Sequence, residues 1–127
     1  MPAPPWGSAY IDKEAVLFGE STIVYRHFLQ QCGFVLDSDM REPEDQIGLM
    51  LMVLGMLLEA ERNDRAMILL AEHLMPWFDH FHQRFHAATT VNAYRMLSET
   101  TAALLQALCA RDGIVVALKR DYRDVEY

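Results

Sequence analysis

At 127 residues the chain is long enough for one domain with a single core, and at 52% hydrophobic and 23% charged residues it is globular rather than disordered. Its 18 acidic against 11 basic residues give a formal net charge of -7. That balance opposes the basic footprint of a nucleic-acid binder and suits a basic partner such as an arginine-bearing peptide.

In chain order, residues 1–19 read as a leading loop, because Pro2, Pro4 and Pro5 remove backbone donors while Gly7 and Gly19 supply turns. The stretch before Trp6 has neither the charged nor the apolar region of a secretory leader. Residues 20–118 read as the helical domain. Ser21 to Gln31 carries helix periodicity through Ile23, Val24, Phe28 and Leu29, with Gly33 placed to end it. After an irregular stretch, Pro43 suits the first turn of a second helix, where Glu44 and Asp45 face the positive end of the helix dipole. Its body, Ile47 to Leu58, is apolar on nearly every side and predicts a helix at the centre of the core. That run falls short of the ~20 residues a bilayer span requires, so the chain is expected to be soluble and cytoplasmic, without membrane insertion. Asp64 is placed to cap a helix through Leu74, and Pro76 to break the ladder and open another over Trp77–Ala87. A long helix over Val91–Arg111 is stopped by Gly113, and residues 119–127 form a charged tail. Almost nothing alternates with period two, so the predicted fold is an all-α helical bundle.

The residues that could carry chemistry are few. Glu42-Pro43-Glu44-Asp45 places carboxylates at a stiff corner. Such a corner reads first as helix capping and dipole compensation, and second as two-pronged capture of a guanidinium. Met50, Met52, Met56, Met67 and Met75 suit core filling, or an adaptable groove for peptides. His82 and His86 stand four apart, but no H-E-x-x-H exists and no cysteine completes a metal set. Cys32 and Cys109 have no metal or redox spacing and read as reduced core thiols. Trp77 reads as a core anchor, while Trp6 fits core and binding roles equally. With no nucleophile elbow, phosphate loop or dinucleotide fingerprint, neither catalysis, a cofactor nor a metal is expected.

Three stretches together resemble the TorD/DmsD/NarJ family of redox-enzyme maturation chaperones, the DmsD branch in particular. They are Pro4-Pro5-Trp6-Gly7-Ser8 with the following Ile11 to Thr22, then Glu42-Pro43-Glu44-Asp45-Gln46-Ile47-Gly48-Leu49, and then His73-Leu74-Met75-Pro76-Trp77. The resemblance runs from Pro4 to about Leu108. It implies an all-α chaperone that binds the twin-arginine signal peptide of a molybdoenzyme catalytic subunit, of the dimethyl sulfoxide or trimethylamine N-oxide reductase type, and assists cofactor loading before export. It also implies that binding residues cluster at Trp6, Gly7, Glu42, Pro43 and Asp45, with Glu44 and Gln46 beside them.

Two departures from the family pattern matter. The family motif's histidine is Gln46 here, which removes any titration near neutral pH and leaves hydrogen bonding through the amide. Family members also carry further helices ahead of the Pro-Pro-Trp-Gly loop. The sequence then represents a fragment, a shorter gene product, or a chain whose exposed face a second copy covers. An apolar helix left half-covered would present a large hydrophobic patch, so a homodimer, with exchanged elements as one route, is expected. Two other readings stand beside the chaperone: a non-catalytic helical assembly module, and a guanine-nucleotide-binding protein.

Overall fold

The computed structural model describes residues 3–11, 20–34 and 44–116, and every regular element in them is helical, as the sequence predicts. The elements are α1 (Ser8–Ile11), α2 (Glu20–Gln31), α3 (Ile47–Glu59), α4 (Asn63–Ile68), a π-helical turn (Leu69–Leu74), α5 (Met75–Ala88) and α6 (Asn92–Asp112). The charged tail, Gly19, Glu42 and Pro43 lie outside the described residues.

Helix α2 ends where expected. Gly33 takes a left-handed φ of 87°, which lets the Phe34 N–H donate back to the Leu29 carbonyl at 3.0 Å. Helix α6 closes the same way at Gly113, with φ 64° and an Ile114 N–H to Cys109 carbonyl bond of 2.9 Å. Helix α3 uses this closure without a glycine: Glu61 sits at φ 58°, and the Arg62 N–H reaches the Leu57 carbonyl at 2.9 Å. The Arg62 guanidinium then donates to the Cys32 carbonyl at 2.6 Å, fastening the α3–α4 corner to the end of α2.

Several sequence expectations need correction. Helix α3 starts at Ile47, not Pro43: Gln46 is extended (ψ 139°) and its side-chain carbonyl caps the Leu49 N–H at 2.9 Å. Arg62, not Asp64, holds the cap position of α4, where no side chain caps the helix, and Asp64 lies in the first turn. Pro76 does not break the chain into separate helices. It lacks an N–H for the carbonyl four residues earlier, and just before it the ladder widens, so that the Met75 N–H bonds the Leu70 carbonyl five residues back. The predicted leading loop contains the short helix α1.

The core gathers Tyr10, Tyr25, Met50, Leu57, Leu69, Leu70, Leu74, Trp77 and Leu105, each essentially without exposed surface. Trp77 is therefore the anchor its sequence position predicts. On α2 the buried stripe is Thr22, Tyr25, Phe28 and Leu29, whereas Ile23 and Val24 are 61% and 54% exposed. Helix α3 is not enclosed. It packs against α4 and the π turn and buries Met50, Leu54 and Leu57 but exposes Met52 and Met56. Helix α6 packs on α5 through Ala102 and Leu105 and exposes Tyr94, Leu97 and Leu104. Cys32 and Cys109 are free thiols.

Candidate functional site

The three stretches singled out in the sequence meet at one place. The leading loop runs antiparallel to the segment before α3: Trp6 pairs with Gln46, the Gly7 N–H donates to the Asp45 carbonyl at 3.1 Å, and the Ile47 N–H donates to the Pro5 carbonyl at 2.8 Å. Gly7 lies flat on the indole of Trp77, and a Cβ there would come within 2.6 Å of Trp77 Nε1. Trp77 is fixed in turn by donating Nε1 to the His73 carbonyl at 2.9 Å and by stacking on Tyr10, ring centroids 5.8 Å apart. The Arg84 guanidinium lies 5.9 Å from the Tyr10 ring centroid, in cation–π range.

Asp45 is the hinge of this arrangement. It is only 3% exposed, and its Oδ2 accepts the Ser8 N–H at 2.6 Å and the Thr22 hydroxyl at 3.2 Å. One carboxylate thus ties the start of α1, the first turn of α2 and the approach to α3. Burial pushes its pKa above the ordinary 3.8, while the hydrogen bonds from Ser8 and Thr22 pull the other way. Its second oxygen, Oδ1, is buried with no hydrogen-bond partner among the described residues. Tyr25 is buried nearby, its hydroxyl also without a hydrogen-bond partner among the described residues, and burial followed by the Asp45 charge pushes its pKa well up.

Glu44, one residue earlier, points outward. Its Oε2 accepts both Nε (3.1 Å) and Nη2 (2.9 Å) of Arg26 from α2. Trp6 is half-buried beside this cluster, its Nε1 without a partner among the described residues. The structure therefore brings together Trp6, Gly7, Glu44, Asp45 and Gln46. Asp45 acts from beneath the surface as a strut, Glu44 presents its charge at the edge, and Gln46 serves as a helix cap.

Sequence reasoning missed Ser8, Thr22 and Arg26. Nothing local marks them, since their partners lie 37, 23 and 18 residues away. Of the methionines, Met50 fills the core as one reading has it, while Met52 and Met56 are exposed. A groove of about 350 Å³ opens on the opposite flank of α2, with Val24, Phe28 and Ile68 in its wall and Arg65 and Glu72 at its sides. His82 and His86 reach across to α6, to Ser98 Oγ and to Glu99 Oε1 at 2.7 Å, and no cluster suited to a metal ion exists among the described residues.

A family model described as the nitrate reductase delta subunit matches residues 1–83. The Tat proofreading chaperone DmsD of Salmonella typhimurium is 35% identical over 123 residues, and the probable Tat proofreading chaperone DmsD of Haemophilus influenzae is 38% identical over 123 residues. Each alignment covers 97% of this chain and 60% of the relative, so the chain spans about three fifths of the length of these proteins.

Proposed function

Because this chain belongs to the nitrate reductase delta subunit family, that of TorD, DmsD and NarJ, we propose that it is a non-catalytic cytoplasmic chaperone for a twin-arginine signal peptide. The peptide is that of a molybdoenzyme catalytic subunit of the dimethyl sulfoxide or trimethylamine N-oxide reductase type, held until its cofactor is loaded. The observation that carries this reading is the junction of the loop, α2 and α3, where half-buried Trp6 sits beside the carboxylates of Glu44 and Asp45 on a rigid, motif-built corner.

In this reading the signal-peptide site comprises Trp6, Gly7, Glu42, Pro43, Glu44, Asp45 and Gln46. A surface carboxylate pairs with a peptide guanidinium, and Trp6 supplies apolar contact for the flanking residue. Asp45, held beneath the surface, contributes the shape of the site through Ser8 and Thr22. No described helix is long and apolar enough to cross a membrane, which agrees with a peptide-binding role away from the bilayer. In a folded protein, Glu42→Gln with Asp45→Asn should weaken binding of a twin-arginine peptide by more than about tenfold, since charge-assisted pairs are the strong ones. Fluorescence anisotropy with a labelled peptide reads this directly, and unchanged affinity refutes the site.

We also propose that two copies associate through the uncovered apolar flanks, Met52 and Met56 on α3 and Tyr94, Leu97 and Leu104 on α6. Light scattering at micromolar concentration distinguishes this dimer from a monomer.

A further inference from the structure

We propose that Arg26 is an internal competitor for the arginines of the bound peptide, and so sets how strongly a ligand must present guanidinium groups to be held; this rests on the signal-peptide reading above. In the free protein Glu44 is already engaged. The Arg26 guanidinium covers it, leaving the Glu44 side chain 12% exposed while Arg26 itself is 37% exposed. The charge that would recognise a peptide arginine is thus neutralised by one supplied from α2.

The geometry makes this contact replaceable. Nε and Nη2 of Arg26 converge on a single oxygen, Oε2, at 3.1 and 2.9 Å, instead of spreading over both oxygens as the strongest arginine–carboxylate pairs do. A peptide arginine approaching from solvent is free to take the two-oxygen arrangement that Arg26 does not adopt here. Exchanging one guanidinium for another gains little, so a ligand with a single arginine is held weakly and a ligand with two is favoured. Discrimination then comes from a contact already present in the free protein. Glutamine in place of Arg26 keeps an N–H donor toward Glu44, so Arg26→Gln removes the charge without removing every hydrogen-bond donor from the pair.

The test uses the full chain as wild type, as Arg26→Gln and as Arg26→Gln with Glu44→Gln. Each is titrated with labelled leader peptides carrying two, one or no arginines at the motif, the others replaced by glutamine. Arg26→Gln is expected to bind the two-arginine peptide about fivefold more tightly than wild type, with the largest relative gain for the one-arginine peptide. Adding Glu44→Gln should erase that gain. Wild-type binding with no gain in Arg26→Gln overturns this inference and leaves the chaperone reading standing. A gain that survives in the double variant also overturns it, since that protein has the wild-type net charge and no Glu44 carboxylate, and the effect then does not pass through Glu44. Binding by none of the three proteins overturns both.

Discussion

Replacing Gly7 by alanine adds one methyl group, yet it should be among the most damaging single changes in the chain. The new Cβ would lie 2.6 Å from Nε1 and 2.9 Å from both Cδ1 and Cε2 of Trp77. These atoms belong to a fully buried ring that cannot swing aside without giving up its bond to the His73 carbonyl and its stack on Tyr10. Overpacking of a tight core costs about 1–3 kcal/mol. Loss of the indole hydrogen bond adds about 1 kcal/mol, so the sum is about 2–4 kcal/mol. At this chain length that corresponds to a fall in Tm of about 8–16 °C. Urea unfolding followed by circular dichroism measures it, and Gly55→Ala supplies the control. Gly55 lies within α3 with nothing within 4 Å of its would-be Cβ, so the same substitution there should stabilise the helix by about 0.5–1 kcal/mol. Equal midpoints for wild type and Gly7→Ala, or equal losses for the two alanines, would refute the claim that the loop is seated on Trp77.

Other outcomes follow from the same contacts. Glu61 holds a left-handed turn at φ 58°, so Glu61→Gly should stabilise the protein by about 0.5–1 kcal/mol in urea unfolding. Asp45 has its folded pKa raised above 3.8 by burial, so the folded state takes up its proton more readily than the unfolded chain. Its stabilising contribution is complete below the unfolded pKa and is lost as pH rises through the folded one. The stability of wild type relative to Asp45→Asn should therefore increase on acidification from neutrality toward pH 4, and pH-dependent unfolding of the two proteins checks the sign.

The helical class was legible because period and punctuation agreed: Gly33 and Gly113 stop α2 and α6 in the left-handed turns their positions suggest. The buried face of α2 was misread because Ile23 and Val24 outweigh Thr22 and Tyr25 in hydrophobicity, although the core takes the latter pair. Thr22 is buried for Asp45, a partner 23 residues away that periodicity cannot show. The acidic corner was visible as a cluster, but the division of labour within it was not. Local sequence cannot tell that Asp45 turns inward to Ser8 while Glu44 turns outward to Arg26, since each direction is fixed by an element distant in the chain. Family resemblance carried the functional reading where residue chemistry alone favoured capping over capture.

The widened turn at Leu69–Leu74 has a geometric effect beyond accommodating Pro76. A π turn is an α-helix carrying one surplus residue, and each residue advances a helix by about 100°. Everything C-terminal to it is rotated by that amount relative to an unbroken rod. Deleting Ala71 would remove the surplus residue and swing the indole of Trp77 to a different azimuth, off the glycine it supports. The surplus residue thus acts as an angular spacer, and the aim of one side chain, more than the length of the helix, depends on it.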